Sequence, residues 1–166
     1  FPDAEAIGLD LSPQMLVMAS YKAAQAGLNI QWKHGLAERT GFPDAAFDVV
    51  SASLLFHELP PQVSQQVLRE CFRLLKPGGE AIVLDGNQTT LRQNPWLMEV
   101  FEEPYIGDYA EGDLVKWMQR AGFEAVDSRE YWWIHQVTRG VKPLAVSERE
   151  PSFEAFSWEG GSIALA

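Results

Sequence analysis

The run Ala6-Ile7-Gly8-Leu9-Asp10 passes almost at once into Ser12-Pro13, and that junction is the first constraint on the fold. Ile7 to Leu11 is short, apolar and compatible with a strand, Ser12 is a good helix N-cap, and Pro13 brings the φ that suits a first helical position. The helix is expected to run to about Ala26, with Gly27 just past its end. A strand that feeds directly into a helix is the unit of an open α/β sheet, in which ligands bind outside the carboxyl ends of the strands. An acid at such an end can take both hydroxyls of a nucleoside ribose, which makes Asp10 a candidate binding residue. Capping the helix, or lying solvated in the loop, is the competing role.

The same alternation continues downstream. Asn29 to Lys33 reads as a short strand, and Phe47 to Leu55, nearly all small or apolar, as a strand covered on both faces. Between Pro61 and Leu75, Val63, Val67, Leu68, Cys71, Phe72 and Leu74 recur at helical spacing, and Lys76-Pro77-Gly78-Gly79 ends that helix in a turn. Ala81 to Asp85 is a further strand. Asn94-Pro95 opens a short helix containing Trp96, Val100 and Phe101, and another helix is expected from Glu111 to Ala121, stopping at Gly122. Phe123 to Asp127 and Tyr131 to Thr138 read as two strands, which places Trp132 and Trp133 on opposite faces of the second. The expected domain is 1–142, followed by a polar tail over 143–166 that contains Pro151 and Gly160-Gly161.

Composition narrows the function classes. At 166 residues and 46% hydrophobic, the chain can bury one core. Its formal net charge of −10 opposes a nucleic-acid backbone, so no nucleic-acid partner is expected. A single cysteine, Cys71, excludes an intramolecular disulfide and a cysteine-rich zinc site, and its place in a helical pattern points to the core. No metal is expected, since no His, Asp and Glu spacing forms a ligand set. No membrane-length apolar span or signal peptide is found, so the default expectation is a cytoplasmic protein without a membrane partner.

Four motifs stand in a fixed order: the strand ending at Asp10, the loop Gly35-Leu36-Ala37-Glu38, the strand Phe47-Asp48-Val49-Val50, and Leu75-Lys76-Pro77-Gly78-Gly79. Together they resemble the small-molecule class I S-adenosylmethionine-dependent methyltransferases, over roughly Ala6 to Pro143. The resemblance implies a Rossmann-like α/β sheet with helices on both faces and an antiparallel C-terminal strand. It implies S-adenosylmethionine as cofactor, S-adenosylhomocysteine as product, and a small, lipophilic or aromatic acceptor. Asp10, Leu11, Leu36, Ala37, Ser53 and Leu54 match the cofactor-binding positions. Leu36 departs from the pattern, standing where the family usually carries an acid for the adenine amino group, so recognition there passes to the backbone near Ala37 and to apolar packing. The family also has an N-terminal strand with a glycine-rich loop, lying between the Asp10-type strand and the Phe47-type strand. Neither is found before Ala6, and the favoured expectation is a fragment whose sheet lacks that strand. The open edges would permit a strand-paired homodimer, and a degenerate, non-catalytic module is the alternative reading.

Methyl transfer is mainly a matter of positioning, with a base adding to it for a hydroxyl or acidic-carbon acceptor. His57 follows the strand ending at Ser53 to Leu55 and is the candidate catalytic base; orienting its loop is the competing role. Glu58, Tyr105 and Tyr109 are candidate substrate-binding residues, the tyrosines lying in a segment that in the resembled family covers the acceptor pocket. His34 and His135 read as surface or sheet residues.

Overall fold

The structure, a computed structural model, describes residues 4–144. The expected polar tail lies outside them apart from Pro143 and Leu144.

The first unit follows the strand-to-helix junction. Strand β1 (Ala6–Asp10) leads into helix α1 (Pro13–Gln25), which returns the chain to β2 (Ile30–His34) parallel to β1, in register from Ala6 opposite Ile30 to Asp10 opposite His34. Ser12 Oγ accepts from the Met15 amide at 3.3 Å, and Gly27 takes a left-handed φ of +68° after the Ala26 cap. That conformation suits a residue without Cβ. Only Ala23 of α1 is buried, while Met15, Val17, Met18 and Tyr21 are exposed.

The second unit is a four-stranded sheet. Its order is β3 (Phe47–Ser53), β4 (Leu75–Gly86), β6 (His135–Val141), β5 (Glu124–Tyr131), with β3 parallel to β4 and the other pairs antiparallel. Among the described residues no ladder joins it to the β1–β2 pair. Strand β3 therefore stands at an edge, and the expectation that both its faces are covered is corrected. Val50 and Ala52 reach the core, whereas Val49, Ser51 and Ser53 on alternate positions are exposed.

Helix α2 (Pro61–Leu74) lays Val67, Leu68 and Cys71 against the sheet, with Phe56, Leu75, Leu114 and Met118 completing the centre of the core. Burial pushes the Cys71 thiol up to about 12, so it stays protonated and inert. Three short helices follow: α3 (Gln88–Gln93), α4 (Trp96–Phe101) and α5 (Ile106–Glu111), and then α6 (Leu114–Arg120). Helix α3 is additional to the elements read from the sequence; the Asn87 side chain caps it by accepting from the Thr89 and Thr90 amides. The single helix expected from Glu111 to Ala121 is broken at Gly112. A Cβ there would lie 2.2 Å from the Trp117 ring, and Asp113 starts the new helix by accepting from the Lys116 amide. Trp132 and Trp133, expected within a strand, instead form the turn between β5 and β6, with Trp132 at φ +55°.

The connection from β2 to β3 is tied to α2 by charge. Glu70 Oε1 accepts from the Thr40 amide (2.9 Å), the Thr40 hydroxyl (2.6 Å) and Arg73 (2.7 Å), and its Oε2 accepts from Arg73 Nε at 2.8 Å. Arg73 also pairs with Asp44, and the Ala45 and Ala46 amides donate to the Arg73 and Leu74 carbonyls. Arg73 first, then the Thr40 donors, hold the Glu70 carboxyl down to about 2 from an ordinary 4.5. A depressed carboxyl pKa gives stability that is fully present above about pH 4.5 and is lost as pH falls toward about 2. We expect Glu70→Gln to lower the urea midpoint at neutral pH and to flatten its decline across that acid window, as measured by unfolding curves over a pH series.

Candidate functional site

The carboxyl ends of β3 and β4 lie side by side because the two strands are parallel. At the first, Leu54 turns at φ +53° while its amide still donates to the Leu84 carbonyl at 2.8 Å. The chain then enters a 3₁₀ turn, Phe56–Glu58, which carries His57. At the second, β4 ends in Asp85-Gly86.

Asp85 is 0% exposed. A carboxylate removed from water is tolerable only if its oxygens are supplied with donors. Here Oδ2 accepts from the Leu55 and Phe56 amides at 3.1 and 2.7 Å, while Oδ1 accepts from the Gly86 amide and from His57 Nδ1, each at 2.7 Å. The hydrogen bond to Asp85 raises the His57 pKa above its ordinary value against the opposing effect of burial, with the charges of Asp85, Glu58 and Glu103 adding to the rise. His57 Nε2 lies 4.0 Å from Glu58 Oε1.

Both side chains border a cavity of about 200 Å³ whose walls are otherwise largely apolar: Leu54, Leu91, Phe101 and Ile134. Tyr109 stands edge-on to the His57 ring, with centroids 6.4 Å apart, and its hydroxyl donates to the Gly86 carbonyl at 2.8 Å. Its ring is buried and burial raises its phenol pKa, so Tyr109 supports the site from behind as a neutral donor. A larger cleft of about 480 Å³ shares no lining residue with this cavity. Its Asn87 and Gln88 are spent on capping α3 and on bonds to the Tyr109 carbonyl and the Leu114 amide. The smaller cavity is therefore where an ionisable group meets an apolar space, the usual make-up of a ligand site.

The remaining candidates lie on the β1–β2 side or at strand ends. Asp10 Oδ1 accepts from the Ser12 amide at 2.7 Å, and its second oxygen has no protein partner among the described residues. Leu11 is exposed, and its carbonyl accepts from His34 Nε2 at 2.8 Å. Leu36 and Ala37 are half-buried in the loop after β2, where the Arg39 amide donates to the Leu36 carbonyl and Ala37 packs on the core. Ser53 is exposed at the end of β3. The structure thus brings Leu54, His57, Glu58 and Tyr109 together, and leaves Tyr105, half-buried ahead of α5, outside the lining. Sequence reasoning did not single out Asp85, Phe101 or Ile134 for the site, and it read His135 as a surface or sheet residue; His135 does begin β6, and it also borders the cavity. Asp85 carried a readable signal, an acid ending an apolar strand as Asp10 does.

Residues 1–79 match a family profile described as a methyltransferase domain. Demethylmenaquinone methyltransferase of Listeria monocytogenes is 32% identical over 170 aligned positions, covering 98% of this chain and 66% of that protein. Its counterpart from Geobacillus kaustophilus is 31% identical over 92% of this chain and 61% of its own length. The chain therefore spans a little under two-thirds of these curated relatives. Among solved structures, the PH0226 protein from Pyrococcus horikoshii superposes with a TM-score of 0.66 at 21% identity, covering 84% of this chain and 72% of its own, which shows the shared fold. Among the described residues no helix is long and apolar enough to cross a membrane.

The Tyr109 hydroxyl offers a direct check on the support behind His57. Tyr109→Phe should reduce unfolding free energy by about 0.5–1.5 kcal/mol, the usual worth of one such hydrogen bond, as read from urea denaturation followed by circular dichroism.

Proposed function

This chain belongs to the class I S-adenosylmethionine-dependent methyltransferases, and from that premise we propose that it transfers a methyl group to a small lipophilic acceptor held beside His57. The observation that carries the reading is the His57–Asp85 pair opening on an apolar cavity at the carboxyl ends of two parallel strands. Curated relatives that act on demethylmenaquinone support a quinone-like acceptor.

The residues present fit the cofactor in part by their own chemistry. Among the described residues Asp10 keeps one carboxylate oxygen without a protein partner at a strand end, suited to the hydroxyls of a ribose. Leu36 and Ala37 offer apolar packing and backbone to a purine ring, and Leu11, Ser53 and Leu54 are the remaining positions assigned to hold the cofactor. When bound, S-adenosylmethionine supplies a methyl group activated on a sulfonium.

His57 takes the acceptor's proton on Nε2, since Nδ1 is committed to Asp85. A base so placed contributes on the order of 100- to 10,000-fold. Leu54, Phe101 and Ile134 exclude water and orient the acceptor, and such positioning can lower a barrier by up to about 7–11 kcal/mol. Glu58 borders the same space and favours the protonated imidazole that forms. Tyr109 buttresses the ring, and Tyr105 is assigned to the outer part of the acceptor site. A second reading, a non-catalytic module that pairs strands into a homodimer, draws on the edges of β1 and β3 that carry no ladder among the described residues.

Calorimetric titration with S-adenosylmethionine and S-adenosylhomocysteine separates the two readings. Binding supports the enzyme, whereas a folded chain that binds neither and sediments as a dimer supports the module. Asp10→Ala should weaken S-adenosylmethionine binding at least tenfold, and unchanged affinity would remove Asp10 from the site. His57→Gln should cut methylation of a reduced, short-tailed demethylmenaquinone about 100-fold. Its cofactor affinity should stay as in the parent, and a fully active variant would make His57 a packing residue.

A further inference from the structure

Asp85 is wholly withdrawn from solvent and does not itself line the cavity, but it is bonded to two residues that do, His57 through its ring and Gly86 through its amide. Four donors converge on its two oxygens: the amides of Leu55, Phe56 and Gly86, and the His57 ring. With three amides already on the carboxylate, it acts as an acceptor toward the imidazole, so the proton in the His57 bond belongs to Nδ1. The Leu55 and Phe56 amides come from the two residues just before His57. One carboxylate therefore grips both the backbone of the turn and the ring that the turn carries.

We propose that Asp85 is a positioning residue, which holds His57 as the Nδ1–H tautomer with the Nε2 lone pair free for the acceptor. The assignment deepens the reading of His57 as base and rests on it for its catalytic consequence. Other groups around the ring do not supply this hold. Glu58, on the same turn, lies 4.0 Å from Nε2, beyond hydrogen-bond reach. Glu103, in the connection between α4 and α5, acts only through its charge. Tyr109 from α5 meets the ring by its edge and spends its hydroxyl on Gly86. His135 from β6 borders the cavity and, among the described residues, makes no hydrogen bond to His57.

Asp85→Asn separates shape from charge. The amide oxygen can still accept from the Leu55 and Phe56 amides, but the amide nitrogen gives up the bond from the Gly86 amide, donates to Nδ1 and drives the proton to Nε2, the wrong tautomer for a base. Long-range proton–nitrogen NMR of the 166-residue chain, without added ligand, reads the tautomer directly. The expected result is Nδ1–H in the parent, with a pKa above the ordinary histidine value, and Nε2–H with a lowered pKa in the variant. An Nε2–H parent, or a variant with tautomer and pKa unchanged, would overturn the proposal. The parent spectrum decides even if the variant does not fold.

Turnover supplies a second readout. Asp85→Asn should lower kcat at least 100-fold with KM little changed, and should cost nothing further in a His57→Gln background, whereas a purely structural role would add to it. A fully active His57→Gln variant alongside a confirmed tautomer switch would sink the catalytic reading and leave the hold of Asp85 on His57 supported.

Discussion

A negative charge with no access to water organises the end of the β3–β4 pair. Asp85 can remain there because every route of solvation it has lost is replaced by a directed donor, three from the main chain and one from an imidazole. The bonds run across about 30 residues of sequence, from the end of β4 to the turn after β3. They fasten a segment that has little regular structure of its own. Removing a single partner would leave a buried charge short of a donor, which is more costly than never having made the bond. The site is therefore cooperative: the turn, the ring and the strand end are in place together or not at all.

The β1–α1–β2 unit is organised differently. It pairs with itself and leaves much of the apolar surface of α1 exposed, while the four-stranded sheet builds its own core with α2, α5 and α6. The linking loop is fastened to α2 through Thr40, Glu70 and Arg73. Leu36 and Ala37 lie in that loop, so the Thr40–Glu70–Arg73 cluster tethers the segment that carries two candidate cofactor-binding residues.

How much could be read in advance follows from the range of the forces involved. Local rules sufficed for Ser12, Pro13 and Gly27, since capping and the left-handed turn are decided within a few residues, and α1 lies where they place it. The order of strands and helices, and the position of His57 beyond β3, were legible for the same reason. What escaped depends on neighbours distant in sequence. The break at Gly112 answers to the Trp117 ring, the Trp132-Trp133 turn to the pairing of β5 with β6, and the exposure of β3 to which strands flank it. Asp85 was visible as an acid at a strand end, but its partner could be known only once two parallel strands had been set side by side.

Leu54 gives the site a cost of its own. A branched-chain residue at φ +53° bears strain that glycine would not, on the order of 1–2 kcal/mol, and it bears it at the wall of the cavity beside His57. A search for a sturdier protein would find Leu54→Gly attractive on backbone grounds alone. It would remove the apolar wall and loosen the bend that aims the following turn. Ease of the backbone and the shape of the cavity wall pull this position in opposite directions, so stabilised variants at Leu54 should be checked for the cavity before they are kept.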